Sequence, residues 1–145
     1  MNSFKPSRFI QNCHAQTILP SLTSFQNPLK KTEKAILIPM SNGDQIQVKL
    51  NLNEQSKKVA FLVHGLEGSS EARYMVQTAN RLFQGGFSTV RINLRNCGGT
   101  ESLSKSLYNA GMSDDLDRVL LFFKNYQWED IVLIGYSLGA NLVGK

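Results

Sequence analysis

A serine flanked by glycines near the end of the sequence has the residue types and the spacing of a catalytic nucleophile. Ser137 lies between Gly135 and Gly139 in the pattern Gly-x-Ser-x-Gly. A run of Ile, Val and Leu precedes this pattern, and a segment with helical character follows it. A strand, a tight turn and a helix in this order form a nucleophile elbow, which presents the serine hydroxyl on a strained backbone. The two glycines lack a Cβ and therefore let the strand and the helix approach each other around Ser137.

Two further glycine-rich loops each follow a predicted strand. Residues 59–63 are continuously apolar, as expected for a strand covered on both faces, and they lead into a loop over residues 64–70. Residues 87–93 predict the next strand, which leads into a loop that ends at residue 100. Ligands of parallel sheets bind beyond the carboxyl ends of the strands. We therefore expect both loops and the Ser137 turn to meet at one edge of the sheet.

The remaining elements define the fold class. Residues 35–39 and 45–52 predict two strands, and the second alternates polar and apolar side chains, as an edge hairpin does. Helices are predicted over residues 73–83 and 113–126, with Ser113 as the N-cap. Strands that alternate with helices imply right-handed crossovers and a parallel sheet. The prediction is an α/β protein with an antiparallel edge hairpin followed by parallel strands.

The first part of the chain is the least regular. Residues 1–33 contain three prolines and are predicted to form an N-terminal arm laid over a domain of residues 34–145. A short helix is predicted over residues 12–19, with Pro20 as its limit. The first ten residues have no apolar segment of the kind found in a secretory signal.

Composition excludes several classes of protein. Lys and Arg total 16 against 11 Asp and Glu, a net charge of +5, and no basic helix face is interleaved with aromatic residues. We therefore expect no nucleic-acid partner, whereas weak attraction to an anionic membrane surface stays open. No apolar run reaches the roughly 18 residues of a spanning helix. The two cysteines fit no metal or redox spacing, so we expect a cytoplasmic protein without a metal or a cofactor.

Four motifs in a fixed order narrow the fold further. They are residues 13–17 (CHAQT), 64–70 (HGLEGSS), 93–100 (NLRNCGGT) and 135–141 (GYSLGAN). Together they resemble the YheT-type hydrolases of the α/β-hydrolase superfamily, a family whose eukaryotic members are abhydrolase-domain lipases and esterases. The resemblance extends from about residue 6 to residue 145. It implies the N-terminal half of an α/β-hydrolase fold.

The resemblance implies a serine hydrolase of carboxylic esters, with a small-molecule ester or lipid such as an acylglycerol as the substrate. Ser137 matches the nucleophile of the family. The backbone N–H groups of Leu66 and Leu138 are the expected oxyanion donors, because fixed donors stabilise the charge of a tetrahedral intermediate. The residues expected to shape the site are His64, Gly65, Gly135 and Gly139.

The sequence departs from the family in one respect. Family order is Ser, then Asp or Glu, then His, and only residues 138–145 follow Ser137. We therefore expect a chain truncated after the elbow, with the Asp and the His on a missing C-terminal segment. The alternative is a non-catalytic remnant, or a binding module that uses the same cleft.

Other reactive side chains have simpler interpretations. His64 is a conceivable base, but its motif places it in the oxyanion loop, where shaping the turn is favoured. A structural or capping role is favoured for His14, and helix capping for Asp114 and Asp115. Cys97 has no activating neighbour in the sequence and is expected to be an inert thiol. The residues expected to hold the second loop are Asn93, Arg95, Gly98 and Gly99.

Overall fold

The computed structural model describes residues 12–22 and 25–145. The strands in this part are β1 (Glu33–Pro39), β2 (Gln45–Asn51), β3 (Lys58–Val63), β4 (Ser88–Ile92) and β5 (Asp130–Gly135). The helices are α1 (Cys13–Leu22), α2 (Arg73–Gln84), α3 (Ser113–Phe122) and α4 (Leu138–Val143). None of these helices is long and apolar enough to cross a bilayer.

The strands form one mixed sheet in the order β1-β2-β4-β3-β5. β1 pairs antiparallel with β2, and β2 pairs antiparallel with β4. β3 pairs parallel with both β4 and β5, so α2 and α3 lie in the two crossover connections. The predicted α/β class, with an antiparallel edge hairpin followed by parallel strands, is confirmed. The carboxyl ends of β3, β4 and β5 lie at the same edge of the sheet.

Helices cover both faces of the sheet, which explains the continuously apolar sequence of β3. Phe61 belongs to an apolar cluster that includes Val119 of α3 and Leu142 of α4. Leu62 belongs to a second cluster, which includes Met75 of α2. Because neighbouring residues of a strand point to opposite faces, both faces of β3 are buried.

β5 forms one edge of the sheet. Within the described residues no strand pairs with its outer side, and Ile131 and Val132 are 57% and 38% exposed. An apolar groove of about 480 Å³ lies beside the strand, lined in part by Phe123 and Trp128. An unpaired edge with exposed apolar side chains is a template for another strand.

Three boundary predictions are wrong. α1 continues through Pro20 to Leu22, because the fixed φ of proline is a helical value; the ring removes one backbone hydrogen bond and crowds the preceding turn without ending the helix. Ser113 is the first residue of α3 and not its N-cap, a position that Met112 occupies without a side-chain cap. α3 ends at Phe122, and a separate 3₁₀ turn reaches Tyr126.

The residues before β1 pack onto the domain. Leu29 is buried, and its carbonyl oxygen accepts a hydrogen bond of 2.9 Å from the Asn51 side chain. Glu33 forms an ion pair with Arg91, which is fully buried. Residues 1–11 and 23–24 of the predicted arm lie outside the described residues, and the boundary at residue 33 stays a prediction.

Candidate active site

The turn between β5 and α4 holds Ser137 in a strained conformation. Its φ of 51° and ψ of −114° are unfavourable for a residue with a side chain and cost about 1–3 kcal/mol. A Cβ at Gly135 would lie 2.4 Å from the backbone of Ala140. A Cβ at Gly139 would lie 2.5 Å from the carbonyl oxygen of Val63. Both flanking positions therefore require glycine for steric reasons.

The loop after β3 lies against this turn. A Cβ at Gly65 would be 3.2 Å from the carbonyl oxygen of Tyr136 and 3.3 Å from the Cβ of Ser137. The Tyr136 N–H donates to the carbonyl oxygen of Val63 over 3.0 Å. The structure thus brings the His64-Gly65 segment and the serine together, although 72 positions separate Gly65 from Ser137 in the sequence (137 − 65 = 72).

Two backbone N–H groups beside the exposed Ser137 have no acceptor within the described part of the chain. One belongs to Leu66, whose side chain is 67% exposed. The other belongs to Leu138, the first residue of α4, where helical N–H groups lack partners inside the helix. Unbonded donors on a rigid backbone can stabilise a carbonyl oxygen that gains negative charge.

The His64 side chain holds the loop after β3 through hydrogen bonds at both ring nitrogens. Its ring is fully buried, with Nδ1 2.6 Å from the Gly65 carbonyl oxygen, and its Nε2 accepts the Leu94 N–H over 3.1 Å. The proton must therefore reside on Nδ1. Burial lowers the pKa of His64, and the hydrogen bond to Gly65 opposes this only in part. Because both ring nitrogens are occupied, His64 is not placed to accept a proton from Ser137.

No imidazole or carboxylate in residues 12–22 and 25–145 is hydrogen-bonded to the Ser137 hydroxyl. His14 lies exposed on α1, and Asp114 is exposed at the start of α3. Asp115 is buried and ion-paired with Arg95. The fold therefore brings together the serine, the two N–H groups and the glycines that the sequence singled out, whereas His14, Asp114 and Asp115 make no described hydrogen bond to Ser137.

Asn93, the residue after β4, holds the loop after β3 in place. Its Oδ1 accepts the Ser70 N–H over 2.6 Å, and Arg91 donates to the Ser70 carbonyl oxygen over 2.6 Å. Gly98 has a φ of 70°, and a Cβ there would lie 2.6 Å from Asn93 Oδ1. Gly98 thus leaves room for the Asn93 side chain, which positions the loop after β3.

A buried charge cluster that the sequence did not reveal anchors the second loop. Arg95 makes two hydrogen bonds to Asp115, of 2.7 and 2.6 Å, and another of 2.5 Å to Asp44. The pKa of Asp44 lies well below its usual range. The largest cause is the hydrogen bond from the Lys105 N–H, and the next is the hydrogen bond from the Ser106 hydroxyl. The hydrogen bonds that Arg95 donates to Asp115 raise the pKa of Arg95. No local pattern indicates these pairings, because Asp44 lies in the hairpin turn, 51 positions from Arg95.

Comparison with known proteins agrees with this architecture. Residues 60–144 match the α/β hydrolase fold family. Since the match covers more than half of the chain, the chain belongs to this family. The expected membership of the α/β-hydrolase superfamily is therefore confirmed.

Curated relatives cover nearly all of the chain. It is 28% identical over 144 residues to the candidate esterase YheT of Escherichia coli (strain K12), and the match covers 97% of the chain and 42% of YheT. It is 26% identical over 150 residues to an abhydrolase domain-containing protein of Dictyostelium discoideum, with 97% and 37% covered. The chain therefore spans about two fifths of the length of these relatives.

Solved structures share the fold. The Pyrococcus furiosus esterase Pf2001 superposes with a TM-score of 0.69 at 23% identity, over 83% of this chain and 49% of the esterase. XC6422 of Xanthomonas campestris, a serine hydrolase without a lid, superposes with a TM-score of 0.65 at 25% identity, over 76% of this chain and 53% of XC6422. This chain thus covers about half of each of these two structures.

Proposed function

We propose that the protein is a carboxylic ester hydrolase in which Ser137 is the nucleophile. The observation that carries the proposal is the pairing of a strained, exposed serine with two unbonded N–H groups, those of Leu66 and Leu138. The elbow glycines and the buried His64 support it, because they keep the serine and the oxyanion loop in contact.

In this proposal the Ser137 Oγ attacks the carbonyl carbon of the ester and its proton passes to a base. The carbonyl oxygen becomes negatively charged and accepts hydrogen bonds from the Leu66 and Leu138 N–H groups. Loss of one such donor typically lowers the rate by about 10²–10³-fold. The alcohol leaves with a proton, and water then hydrolyses the acyl-enzyme.

A serine hydroxyl is a poor nucleophile without an adjacent base. The described residues place no free imidazole beside Ser137, and the family order puts the acid and the histidine after the serine. We therefore assign the Asp and the His to a segment outside these 145 residues. The serine and the oxyanion donors belong to this chain, whereas the activating pair is supplied from elsewhere.

One feature supports an apolar substrate. Leu66, which follows the Gly65 that contacts the Ser137 turn, is 67% exposed, and we propose that it offers a contact for an acyl chain. The relatives include proteins named as esterases. We propose an acylglycerol or short-chain ester as the substrate and the cytoplasm as the location, with weak attraction of the net charge of +5 to an anionic membrane surface.

A fluorophosphonate probe tests the nucleophile in the full-length protein. The probe should label the wild type at Ser137, and Ser137→Ala should lose both labelling and turnover of p-nitrophenyl esters. Labelling that survives in Ser137→Ala would show that another residue is the nucleophile.

A binding module that uses the same cleft is the competing function, and the occupied nitrogens of His64 favour it. It predicts that the full-length wild type neither reacts with the probe nor hydrolyses esters. Turnover that depends on Ser137 would exclude this alternative.

A further inference from the structure

The oxyanion loop contains a turn that its own sequence does not favour. The Gly68 N–H donates to the Gly65 carbonyl oxygen over 3.1 Å, which places Leu66 and Glu67 at the two central positions. Glu67 has a φ of 55°, whereas Leu66 has an ordinary negative φ. This combination is that of a type II turn, whose second central position favours glycine or asparagine. A glutamate there needs an interaction that holds it.

Tyr108 supplies that interaction. The Glu67 N–H donates to the Tyr108 hydroxyl over 2.7 Å, across 41 positions of sequence. The ring packs against the main apolar cluster, which includes the buried Cys97. Burial raises the pKa of both Tyr108 and Cys97, so the tyrosine carries its proton at neutral pH. The acceptor for Glu67 is therefore held in place by the packing of the Tyr108 ring.

The competing conformation of the same four residues is a type I turn, which requires no positive φ. Converting one turn into the other rotates the peptide between Leu66 and Glu67 by about half a turn. That rotation would point the Glu67 N–H away from Tyr108 and reorient the Leu66 carbonyl group. The hydrogen bond to Tyr108 is thus made in one turn and lost in the other.

A second tyrosine holds the start of the turn. The Gly65 N–H donates to the Tyr74 hydroxyl over 3.2 Å, and the Tyr74 ring lies 4.6 Å from that of Tyr136. A Cβ at Gly68 would lie 2.8 Å from the Tyr74 hydroxyl, so glycine permits this approach. The amides on both sides of Leu66 are therefore bonded to tyrosines, while the Leu66 N–H has no acceptor in the described part of the chain.

We propose that Tyr108 is a positioning residue of the candidate active site, whose hydroxyl holds in place the turn that carries the Leu66 N–H beside Ser137. The catalytic part of this inference depends on the proposed hydrolase function. The structural part, the choice between two turns, does not.

The test uses Tyr108→Phe in the full-length protein, with Tyr126→Phe as the matched control. Tyr126 is 41% exposed, and its hydroxyl has no hydrogen-bond partner among the described residues. Both variants keep the ring and lose one hydroxyl. We expect Tyr108→Phe to lower kcat for p-nitrophenyl acetate about tenfold with KM within about twofold, because a misplaced donor slows the reaction without weakening substrate binding. Tyr126→Phe should match the wild type.

A glycine at position 67 should restore the kcat that Tyr108→Phe loses. Because glycine adopts a positive φ without strain, Glu67→Gly combined with Tyr108→Phe should recover most of the lost kcat. A loss that Glu67→Gly fails to restore would overturn the proposal, since it would show that Tyr108 acts in another way. Equal kcat in Tyr108→Phe and Tyr126→Phe would overturn it as well.

Amide hydrogen exchange separates this inference from the proposed function. Exchange of the Glu67 amide should be about fivefold faster in Tyr108→Phe than in Tyr126→Phe, as expected for the loss of one hydrogen bond. If no ester is turned over in the wild type, the proposed function fails, while the exchange rates still decide whether Tyr108 holds the turn. Unchanged Glu67 exchange would refute the turn selection itself.

Discussion

Replacement of Gly139 by alanine tests the contact on which the candidate site depends. A Cβ at this position would lie 2.5 Å from the carbonyl oxygens of both Val63 and His64. Ordinary contact begins at 3.4 Å, so α4 and the end of β3 must separate by about 0.9 Å (3.4 − 2.5 = 0.9). The opposing atoms belong to the backbone and cannot rotate away. The new methyl group must therefore move the helix that carries the Leu138 N–H.

The expected magnitudes follow from that displacement. Overpacking of a tightly packed site costs about 1–3 kcal/mol, and we expect the upper end because rigid backbone forms the opposing surface. Misplacement of a catalytic group by about 1 Å lowers a rate roughly 10²-fold. Gly139→Ala should therefore lose about 3 kcal/mol of stability and about 10²-fold in kcat.

Gly144→Ala is the matched control, at the other end of the same helix. Gly144 has a φ of −85°, and a Cβ there would meet its nearest atom at an ordinary 3.4 Å. Urea unfolding and p-nitrophenyl ester turnover of the full-length variants provide the comparison. If Gly139→Ala and Gly144→Ala agree within about 0.5 kcal/mol and twofold in kcat, the steric argument is refuted.

Two further predictions concern strain and pH. Ser137→Gly should raise the free energy of unfolding by roughly 1 kcal/mol relative to Ser137→Ala, because glycine tolerates the positive φ at this position. Both variants lack the hydroxyl, so the comparison isolates the backbone strain. Equal urea midpoints of the two variants would contradict that strain. Burial raises the pKa of Glu33, but the charges of Arg91, Lys49 and Lys30 outweigh it and lower that pKa below its ordinary value. The contribution of Glu33 to the free energy of unfolding should therefore be present at neutral pH and be lost as the pH falls below about 4.3. Urea titrations of Glu33→Gln at several pH values should lack this part of the acid dependence.

Much of the fold follows from local patterns. The continuous apolar run before His64 indicates a strand covered on both faces, and the alternation in residues 45–52 indicates the edge hairpin. The elbow glycines flank Ser137 at fixed spacing, so their steric role is visible in the sequence. Helix ends were less predictable, since Ser113 has the residue type of an N-cap but lies inside α3. Local propensity does not decide which of several adjacent residues begins a helix.

Sequence alone determined the elements, their order and the three loops that form the candidate site. Only the tertiary structure decided what holds those loops: the clusters around Arg95 and Asn93, and the hydroxyl of Tyr108 on the Glu67 amide. Arg95 and Asp44 are 51 positions apart, Asn93 and Ser70 are 23 apart, and Tyr108 and Glu67 are 41 apart. A polar side chain in an irregular segment has the same sequence pattern whether it faces water or accepts a buried N–H. The distinction arises only when packing of the sheet and its helices brings the partners within hydrogen-bond distance.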